Sequence, residues 1–176
     1  MAWVFGGKKF GQYTYEHWFD DDFEDVAEKS IKIRKMIIDD YDQVYSLWIS
    51  TPNMGLNNID DSKQGVEKYL ARNPETCFVA EKNDKIIGVI LCGHDGRRGF
   101  IYHLAVAQSE QRQGIGKILV DTALSALKRE GMTKVALVVF GKNVTGNVFW
   151  EKLGFVTRGD LVYRNKGLVE LVRVDT

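Results

Sequence analysis

The sequence predicts an α/β protein built around a mixed β-sheet. Four segments share the near-continuous apolar character of buried strands: residues 78–81, 86–92, 100–107 and 134–140. The first two are joined by Asn83 and Asp84, a pair suited to a tight turn, and this predicts an antiparallel hairpin. The last two are separated by a helical pattern at residues 115–130, which predicts a right-handed crossover between parallel strands. A sheet that contains both kinds of pairing is mixed.

The helix at residues 115–130 has the clearest boundaries. Its apolar residues recur with helical period on one side: Ile115, Ile118, Leu119, Ala123, Ala126 and Leu127. Lys128 and Arg129 lie where the helix dipole is negative, and Gly131 can adopt the left-handed conformation that ends a helix. The strand at 134–140 that follows is expected to be a buried central strand.

Two further helices are expected before the hairpin. Asp39 or Asp40 can cap the first, and Asp61 or Ser62 starts the second after a polar loop at residues 57–61. Both carry one-sided apolar stripes: Val44, Leu47 and Trp48 in the first, and Val66, Tyr69 and Leu70 in the second.

The two ends of the chain carry weaker signals. Alternation at residues 31–35 predicts a first strand, and residues 156–163 and 168–174 are expected to supply the last strands. Residues 1–30 combine eight aromatic residues with an acidic run at 20–25. Disordered tails normally lack aromatic residues, so we expect an ordered arm that packs on its own domain or on a partner subunit, with a flexible extension as the alternative. The expected division is an extension at 1–30 and one domain at 31–176, and a homodimer is possible.

Composition excludes several classes of function. A chain of 176 residues with 44% apolar residues can bury a core without a metal or disulfide. Lys plus Arg equals Asp plus Glu, at 24 each, so no net field would recruit nucleic acid or an anionic membrane. The longest apolar run, at 135–140, is far below the roughly 20 residues of a membrane helix. Cys77 and Cys92 are isolated, which predicts reduced core cysteines. We therefore expect a cytoplasmic protein without a metal site.

The stretch QRQGIG at residues 111–116 is the candidate binding loop, since it joins the strand at 100–107 to the helix start. Unpaired N–H groups at a helix start favour an anion such as a pyrophosphate, and Arg112 and Lys117 add positive charge. The nucleotide-binding GxxxxGK[ST] pattern fails, because Gln111 replaces its first Gly and Ile118 follows Lys117. The dinucleotide-binding GxGxxG pattern fails because Leu119 occupies its third Gly position.

The loop resembles the Q/R-x-x-G-x-G/A signature of the GCN5-related N-acetyltransferases (GNAT). A second stretch, NVTGNVFWEKLGF at residues 143–155, resembles the family's N-x-x-A-x-x-x-Y-E-K-x-G-F helix, with Gly146 at the usual Ala and Trp150 at the usual Tyr. The turn GHDGRRG at residues 93–99 resembles the G-x-D-G-x-R-G turn of small, mostly uncharacterised bacterial members. The resemblance extends over most of the chain, from Ile31 to about residue 168.

The resemblance implies an α/β/α sandwich with a mostly antiparallel sheet whose fourth and fifth strands splay apart. Acetyl-CoA is then the co-substrate: its pantetheine arm pairs with the open strand and its pyrophosphate binds the loop. The residues implied in cofactor binding are Leu104, Ala105, Val106, Gln111, Arg112, Gln113, Gly114, Ile115, Gly116, Lys117, Asn143, Asn147 and Trp150. By the same resemblance, the Leu104 N–H polarises the thioester carbonyl.

The implied function is direct acetyl transfer to a primary amine of a small molecule or of a protein N-terminus. Tyr102 lies where family members place a base or a water-holding group, whereas His103 is either a second candidate or a core residue. Because adjacent strand residues alternate, we expect these two side chains on opposite faces of the sheet. Asp95 attracts a cationic amine or stabilises its turn. Trp150 cannot protonate the leaving thiolate as the family Tyr does, so the alternative is a non-catalytic acyl-CoA sensor or accessory module.

Overall fold

The computed structural model describes residues 31–174. The predicted aromatic arm lies outside the described residues, so the division at residue 30 stays a prediction. Five strands form one sheet in the order β1-β2-β3-β4-β5: Lys32–Lys35, Phe78–Lys82, Lys85–His94, Gly99–Val106 and Val135–Leu137. All neighbours are antiparallel except β4 and β5, which are parallel. The predicted mixed, mostly antiparallel sheet is confirmed.

Four α-helices cover the two faces of the sheet: α1 Tyr41–Ile49, α2 Lys63–Arg72, α3 Ile115–Arg129 and α4 Val144–Lys152. Trp48, Leu56 and Val66 from the α1 and α2 side pack with Val79 and Val89 in one buried cluster. On the opposite face, α3 buries most of its predicted stripe against the other side of the same strands, with residues of α4 packed around it. Ile118 is the exception: it was expected in the stripe but is exposed, whereas Val120 is buried. This is the expected three-layer arrangement. None of these four helices is long and apolar enough to cross a membrane.

Local signals explain where several elements begin and end. The Ser62 hydroxyl accepts a hydrogen bond from the Gly65 N–H at 3.1 Å, which makes Ser62 the cap of α2. Asn83 and Asp84 both have positive φ, at 51° and 58°, as the tightest hairpin turn requires. Gly131 follows α3 with φ 81°. The predicted ends of these elements are confirmed.

The two cysteines are core residues, as predicted. Cys77 and Cys92 are free and buried, on opposite layers of the sheet. Burial raises the pKa of each thiol to about 12, so both remain protonated at neutral pH and are unreactive.

The predicted cap of α1 is wrong. Asp40 precedes the helix, but its side chain accepts no hydrogen bond from it. The carboxylate instead accepts from the Ile37 N–H at 2.9 Å and from two nitrogens of Arg34 at 2.7 and 2.8 Å. A charge-assisted, bidentate bond to Arg34 is stronger than a cap bond, and it holds the carboxylate away from the helix.

The last part of the chain departs furthest from the prediction. The strand expected at 134–140 is limited to Val135–Leu137 and lies at the edge of the sheet, half-buried and not central. In the described part of 156–174 there is no strand, and a single bridge joins Arg173 to Asn57. With only three residues paired, β5 presents too short an edge for a long neighbour, so the apolar residues of 156–174 did not extend the sheet.

Candidate active site

A β-bulge in β4 shapes the centre of the candidate site. The pairing register shifts between Leu91 and Cys92, whose partners are His103 and Ile101, so Tyr102 is the extra residue. The Tyr102 ring contacts Tyr69 of α2, with ring centroids 5.6 Å apart, and the His103 ring contacts Trp48 of α1 at 5.1 Å. Both side chains therefore face the α1 and α2 layer. The prediction of opposite faces is wrong, because the bulge breaks the alternation on which it depended.

Beyond the bulge, β4 separates from β5. The two strands pair only through Gly99–Ile101 of β4, so the rest of β4 has no ladder partner on that side within residues 31–174. The Ala107 N–H donates to Ile87 O at 2.8 Å. Since bonded pairs alternate along an antiparallel ladder, Ala105 also bonds β3, whereas Leu104 and Val106 direct their backbone groups into the gap. The predicted splayed pair is confirmed.

The loop after β4 has the backbone of an anion site. Arg112 and Gly114 have left-handed φ values of 63° and 84°, and Gly114 immediately precedes α3. The first helical hydrogen bond runs from the Ile118 N–H to Gly114 O, so the N–H groups of the first turn are turned outward ahead of it. A Cβ added to Gly114 would meet no atom of residues 31–174 within 4 Å. The loop therefore offers open space in front of a 15-residue helix.

Side chains brace this loop against the sheet. The Gln111 side-chain amide donates to Val106 O at 3.0 Å, on the open side of β4. Lys82 of β2 donates to both carboxylate oxygens of Glu110 at 2.9 Å, and Gln113 donates to the same carboxylate at 3.2 Å. Lys117 forms an i,i+4 ion pair with Asp121, and Arg112 is exposed. These contacts place the loop residues beside the gap.

Helix α4 closes the same end of the gap. A Cβ on Gly116 would lie 3.4 Å from the Phe149 ring and 3.7 Å from Val106, so β4, α3 and α4 converge there. The Trp150 ring packs edge to face between Phe149 and Phe155, each with a centroid distance of 5.1 Å. Trp150 is half-buried, so the predicted cofactor residue is also a packing residue.

Asn143 and Asn147 organise the start of α4. Asn143 is the N-cap and accepts from the Gly146 N–H at 2.9 Å. A Cβ on Gly146 would lie 2.6 Å from that Asn143 side chain, which explains Gly at a position where Ala is usual. The Asn147 amide donates to the carbonyl oxygens of Phe140 and Asn143. Both side chains are thus engaged with the turn before the helix.

Tyr102, a predicted catalytic residue, is exposed at the bulge. Its side chain is 57% exposed. Burial of the phenol raises its pKa above the ordinary value, and Tyr163, Asp60 and Asp95 raise it further. The phenol is therefore protonated across the neutral range, and it can hold a water or an amine by hydrogen bonds without ionising.

His103 lies in a buried pair that sequence reasoning did not find. Its Nε2 lies 2.7 Å from Oδ1 of Asp61, and the two side chains are 12% and 6% exposed. Asp61 was expected only as a possible helix start. The two residues are 42 positions apart in the sequence. The available signals for the pair were an acidic residue in a predicted polar loop and, separately, a histidine predicted to be in the core.

Asp95 closes the turn between β3 and β4. One of its carboxylate oxygens accepts from the N–H groups of Arg97 and Arg98, both at 2.8 Å. These hydrogen bonds, from Arg98 first, hold the pKa of Asp95 below its usual value. The stabilising role that the sequence predicted is therefore present, and the carboxylate is ionised at neutral pH.

Comparison with known proteins identifies the class. Residues 41–155 match the model of the Acetyltransferase (GNAT) family. An acetyltransferase of Pectobacterium atrosepticum is 31% identical over 140 residues, covering 80% of this chain and 97% of that protein. An acetyltransferase of Sodalis glossinidius is 29% identical over the same coverage. The chain belongs to the GNAT family of acetyltransferases, as its motifs predicted, and it is an N-acetyltransferase by class.

Solved structures share the fold. Ard1 from Thermoplasma volcanium superposes with a TM-score of 0.66 at 23% identity, covering 73% of this chain and 84% of that one. The PaiA N-acetyltransferase of Thermoplasma acidophilum, in complex with coenzyme A, gives 0.64 at 22% identity, with coverages of 74% and 94%. Membership of the family confirms acetyl-CoA as the expected co-substrate. The described residues contain no group of three or more His, Cys, Asp or Glu that could hold a metal ion.

Proposed function

We propose that the protein transfers the acetyl group of acetyl-CoA directly to a primary amine, carried by a small molecule or by a protein N-terminus. The observation that carries the proposal is the unpaired half of β4 beside a helix-start loop: the backbone of Leu104 and Val106 faces a gap that ends at Gly114. Membership of the family supports acetyl transfer as the reaction. The backbone groups just named support the binding of the cofactor.

The residues of the gap and the loop fit coenzyme A. Among the described residues, the backbone of Leu104 and the N–H of Val106 have no ladder partner on this side and are suited to the amides of a pantetheine arm, which continue the sheet as an added strand would. The Val106 carbonyl already accepts from the Gln111 side chain. The outward N–H groups of Gly114, Ile115 and Gly116, at the positive end of α3, are suited to a pyrophosphate. Arg112 and Lys117 contribute charge, which solvent and Asp121 partly screen.

The Leu104 N–H supplies the oxyanion contact in this proposal. It is a fixed donor in the gap, and a preorganised donor of this kind contributes roughly 3 kcal/mol to a transition state in other enzymes. No Cys or Ser is needed as a nucleophile, because a neutral amine attacks the thioester itself and the thiolate leaves. The amine's proton passes to solvent past Tyr102, whose phenol orients the amine or a water.

The carboxylates near Tyr102 favour a cationic acceptor. Asp60 and Asp95 both raise the pKa of the Tyr102 phenol, in addition to the larger effect of burial, so negative charge acts on this residue. Solved structures with this fold include an aminoglycoside acetyltransferase in complex with sisomicin (TM-score 0.61) and the NatC complex bound to Gag peptide and coenzyme A (TM-score 0.61). These two acceptors define the two substrate classes to test.

The experiment is a panel of amines incubated with acetyl-CoA while free thiol is measured. Diamines and polyamines, α-amino acids, an aminoglycoside and peptides with a free N-terminus cover the two classes. Amine-dependent thiol release together with an acetylated product supports transfer. Calorimetric binding of coenzyme A without thiol release on any amine supports the alternative, a non-catalytic acyl-CoA sensor.

Replacing Tyr102 by Phe is expected to lower kcat about tenfold, the equivalent of one lost hydrogen bond of about 1.4 kcal/mol. Because the pKa of Tyr102 is raised, its phenol stays protonated between pH 6 and 9, so the pH dependence of kcat should keep its shape. A pH and rate profile of both proteins on one accepted amine tests this. Loss of a limb of the profile near neutral pH in the variant would show that Tyr102 ionises during catalysis.

Replacing Trp150 by Tyr is expected to change kcat by less than about tenfold, although general acid catalysis can contribute roughly 100 to 10,000-fold. A thiol has a pKa near 8.5, so its thiolate leaves readily and solvent can protonate it. The smaller ring also loosens the contacts with Phe149 and Phe155. The maximal rates of both proteins on one amine decide the matter: a gain above tenfold would show that thiolate protonation limits the rate.

A further inference from the structure

Asp61 is one of the few buried charged residues of the described chain, and it lies at the end of the polar loop 57–61. It is 5% exposed. Each carboxylate oxygen has its own partner: Oδ1 lies 2.7 Å from Nε2 of His103, and Oδ2 accepts from the Asn57 N–H at 2.7 Å. The backbone carbonyl of Asp61 also accepts from the Tyr41 hydroxyl at 3.0 Å. The residue thus links the loop to α1 and to β4.

In the hydrogen bond that joins Asp61 to β4, His103 is the donor. A carboxylate oxygen only accepts, so His103 donates this hydrogen bond from Nε2 to Asp61. The ring is held between Asp61 and the indole of Trp48, whose centroid lies 5.1 Å away. His103 lies between Tyr102 and Leu104, the two residues proposed to meet the acceptor and the thioester. A displacement of Asp61 therefore acts on the strand at that position.

Hydrogen bonds within loop 57–61 connect its residues to one another. The Asn57 side-chain oxygen accepts from the N–H groups of Ile59 and Asp60, at 3.0 and 2.8 Å, and its amide donates to the Asp60 carboxylate at 3.1 Å. The Asn58 N–H bonds Val172 O at 2.9 Å on the outer side. Asp60 is exposed, and it precedes Asp61 just as Tyr102 precedes His103, so the 2.7 Å contact between Asp61 and His103 brings the two neighbouring residues to the same part of the site. The Asp60 carboxylate also raises the pKa of the Tyr102 phenol. Its place beside Tyr102 depends on this loop.

We infer that Asp61 is a positioning residue for the acceptor. Through its bond to His103 it holds loop 57–61 against β4, and it thereby fixes the Asp60 carboxylate beside Tyr102. The inference rests on the proposed function, because it requires the acceptor amine to enter at Tyr102. The loop proposed to bind the pyrophosphate lies at the start of α3, which packs on the other face of the sheet, so the main anion contacts of coenzyme A do not involve Asp61.

The test is Asp61→Asn, which keeps the size of the side chain but offers one oxygen where two are needed. The probe is the amine of the panel that releases most thiol. We expect the KM of the variant for this amine to rise about tenfold, which is the size of effect that the loss of one contact with the substrate produces. The affinity for coenzyme A, measured by calorimetry, should change less than twofold.

Asp40→Asn is the matched control. Asp40 is buried to the same degree, at 6% exposure, and both of its carboxylate oxygens also accept hydrogen bonds, Oδ1 from Arg34 and Oδ2 from Arg34 and the Ile37 N–H. Both variants should lower the melting temperature, but only Asp61→Asn should raise the KM for the amine. Equal KM values in the two variants, or an unchanged KM in Asp61→Asn, would reduce Asp61 to a stabilising residue.

A double-mutant cycle of Asp60→Asn and Asp61→Asn distinguishes an effect on the acceptor from a general loss of stability. Asp60 is exposed, so Asp60→Asn should fold normally and raise the KM by a similar factor. If Asp61 acts by placing Asp60, the double variant should raise the KM by less than the product of the single effects. Multiplicative effects would overturn the inference. Failure of the wild-type protein to bind coenzyme A or to acetylate any amine would instead overturn the proposed function and the inference with it.

Discussion

Replacing Gly114 by Val is expected to abolish measurable binding of coenzyme A while the domain stays folded. The residue has φ 84°, and its Cβ direction opens on space that we assign to the pyrophosphate. A branched side chain there blocks the approach of the ligand to the N–H groups of α3. We expect the Kd to rise at least about 100-fold, or about 2.7 kcal/mol, by calorimetry.

Backbone strain is the competing explanation, and the same helix provides a control for it. Gly131, just beyond the other end of α3, has φ 81° and likewise no atom within 4 Å of an added Cβ. Gly131→Val should therefore cost the same roughly 1–2 kcal/mol of unfolding free energy, without loss of affinity. A similar loss of affinity in both variants would assign the effect to strain.

Arg112→Ala separates the backbone from side-chain charge. Arg112 is exposed, so its contribution is screened, and we expect the Kd to rise no more than about tenfold. If this variant were more damaging than Gly114→Val, side-chain charge and not the backbone N–H groups would dominate binding.

Local chemistry made much of the fold predictable. The Ser62 cap, the turn at Asn83 and Asp84, and the glycine after α3 each act within a few residues, so their signals are present in short stretches of sequence. The loop at 111–116 was found for the same reason: strand, glycine turn and helix start are contiguous. Pattern and structure agree at these local features, whereas the local cap predicted for α1 failed because Arg34 binds the Asp40 carboxylate.

The errors fall where distant residues decide the outcome. The bulge at Tyr102 arises from the register of β4 on β3, and nothing in the residues adjacent to Tyr102 specifies it. The Asp61 and His103 pair requires the α1 and α2 layer to be in place before its members meet. The residues of 156–174 include the apolar and β-branched types that favour strands, but composition alone does not supply a neighbouring edge.

The backbone N–H of Leu104 is expected to carry a large part of the catalysis. Replacing Leu104 by its α-hydroxy acid puts an ester in place of the amide, which removes this donor and keeps the side chain. Because that N–H faces the gap, no ladder bond to β3 is lost with it. We expect kcat to fall about 100 to 1,000-fold, as for the loss of one oxyanion donor, with little change in the affinity for coenzyme A.

The matched control is the same ester substitution at Val89 of β3. Val89 pairs with Ala105, one position along from Leu104, so its N–H belongs to the ladder and not to the gap. Removing it should cost about 1 kcal/mol of unfolding free energy and change kcat less than about threefold. Single-turnover acetylation of one accepted amine measures both proteins. If the Leu104 ester retained its rate, the oxyanion would be stabilised elsewhere, and the gap in β4 would serve binding alone.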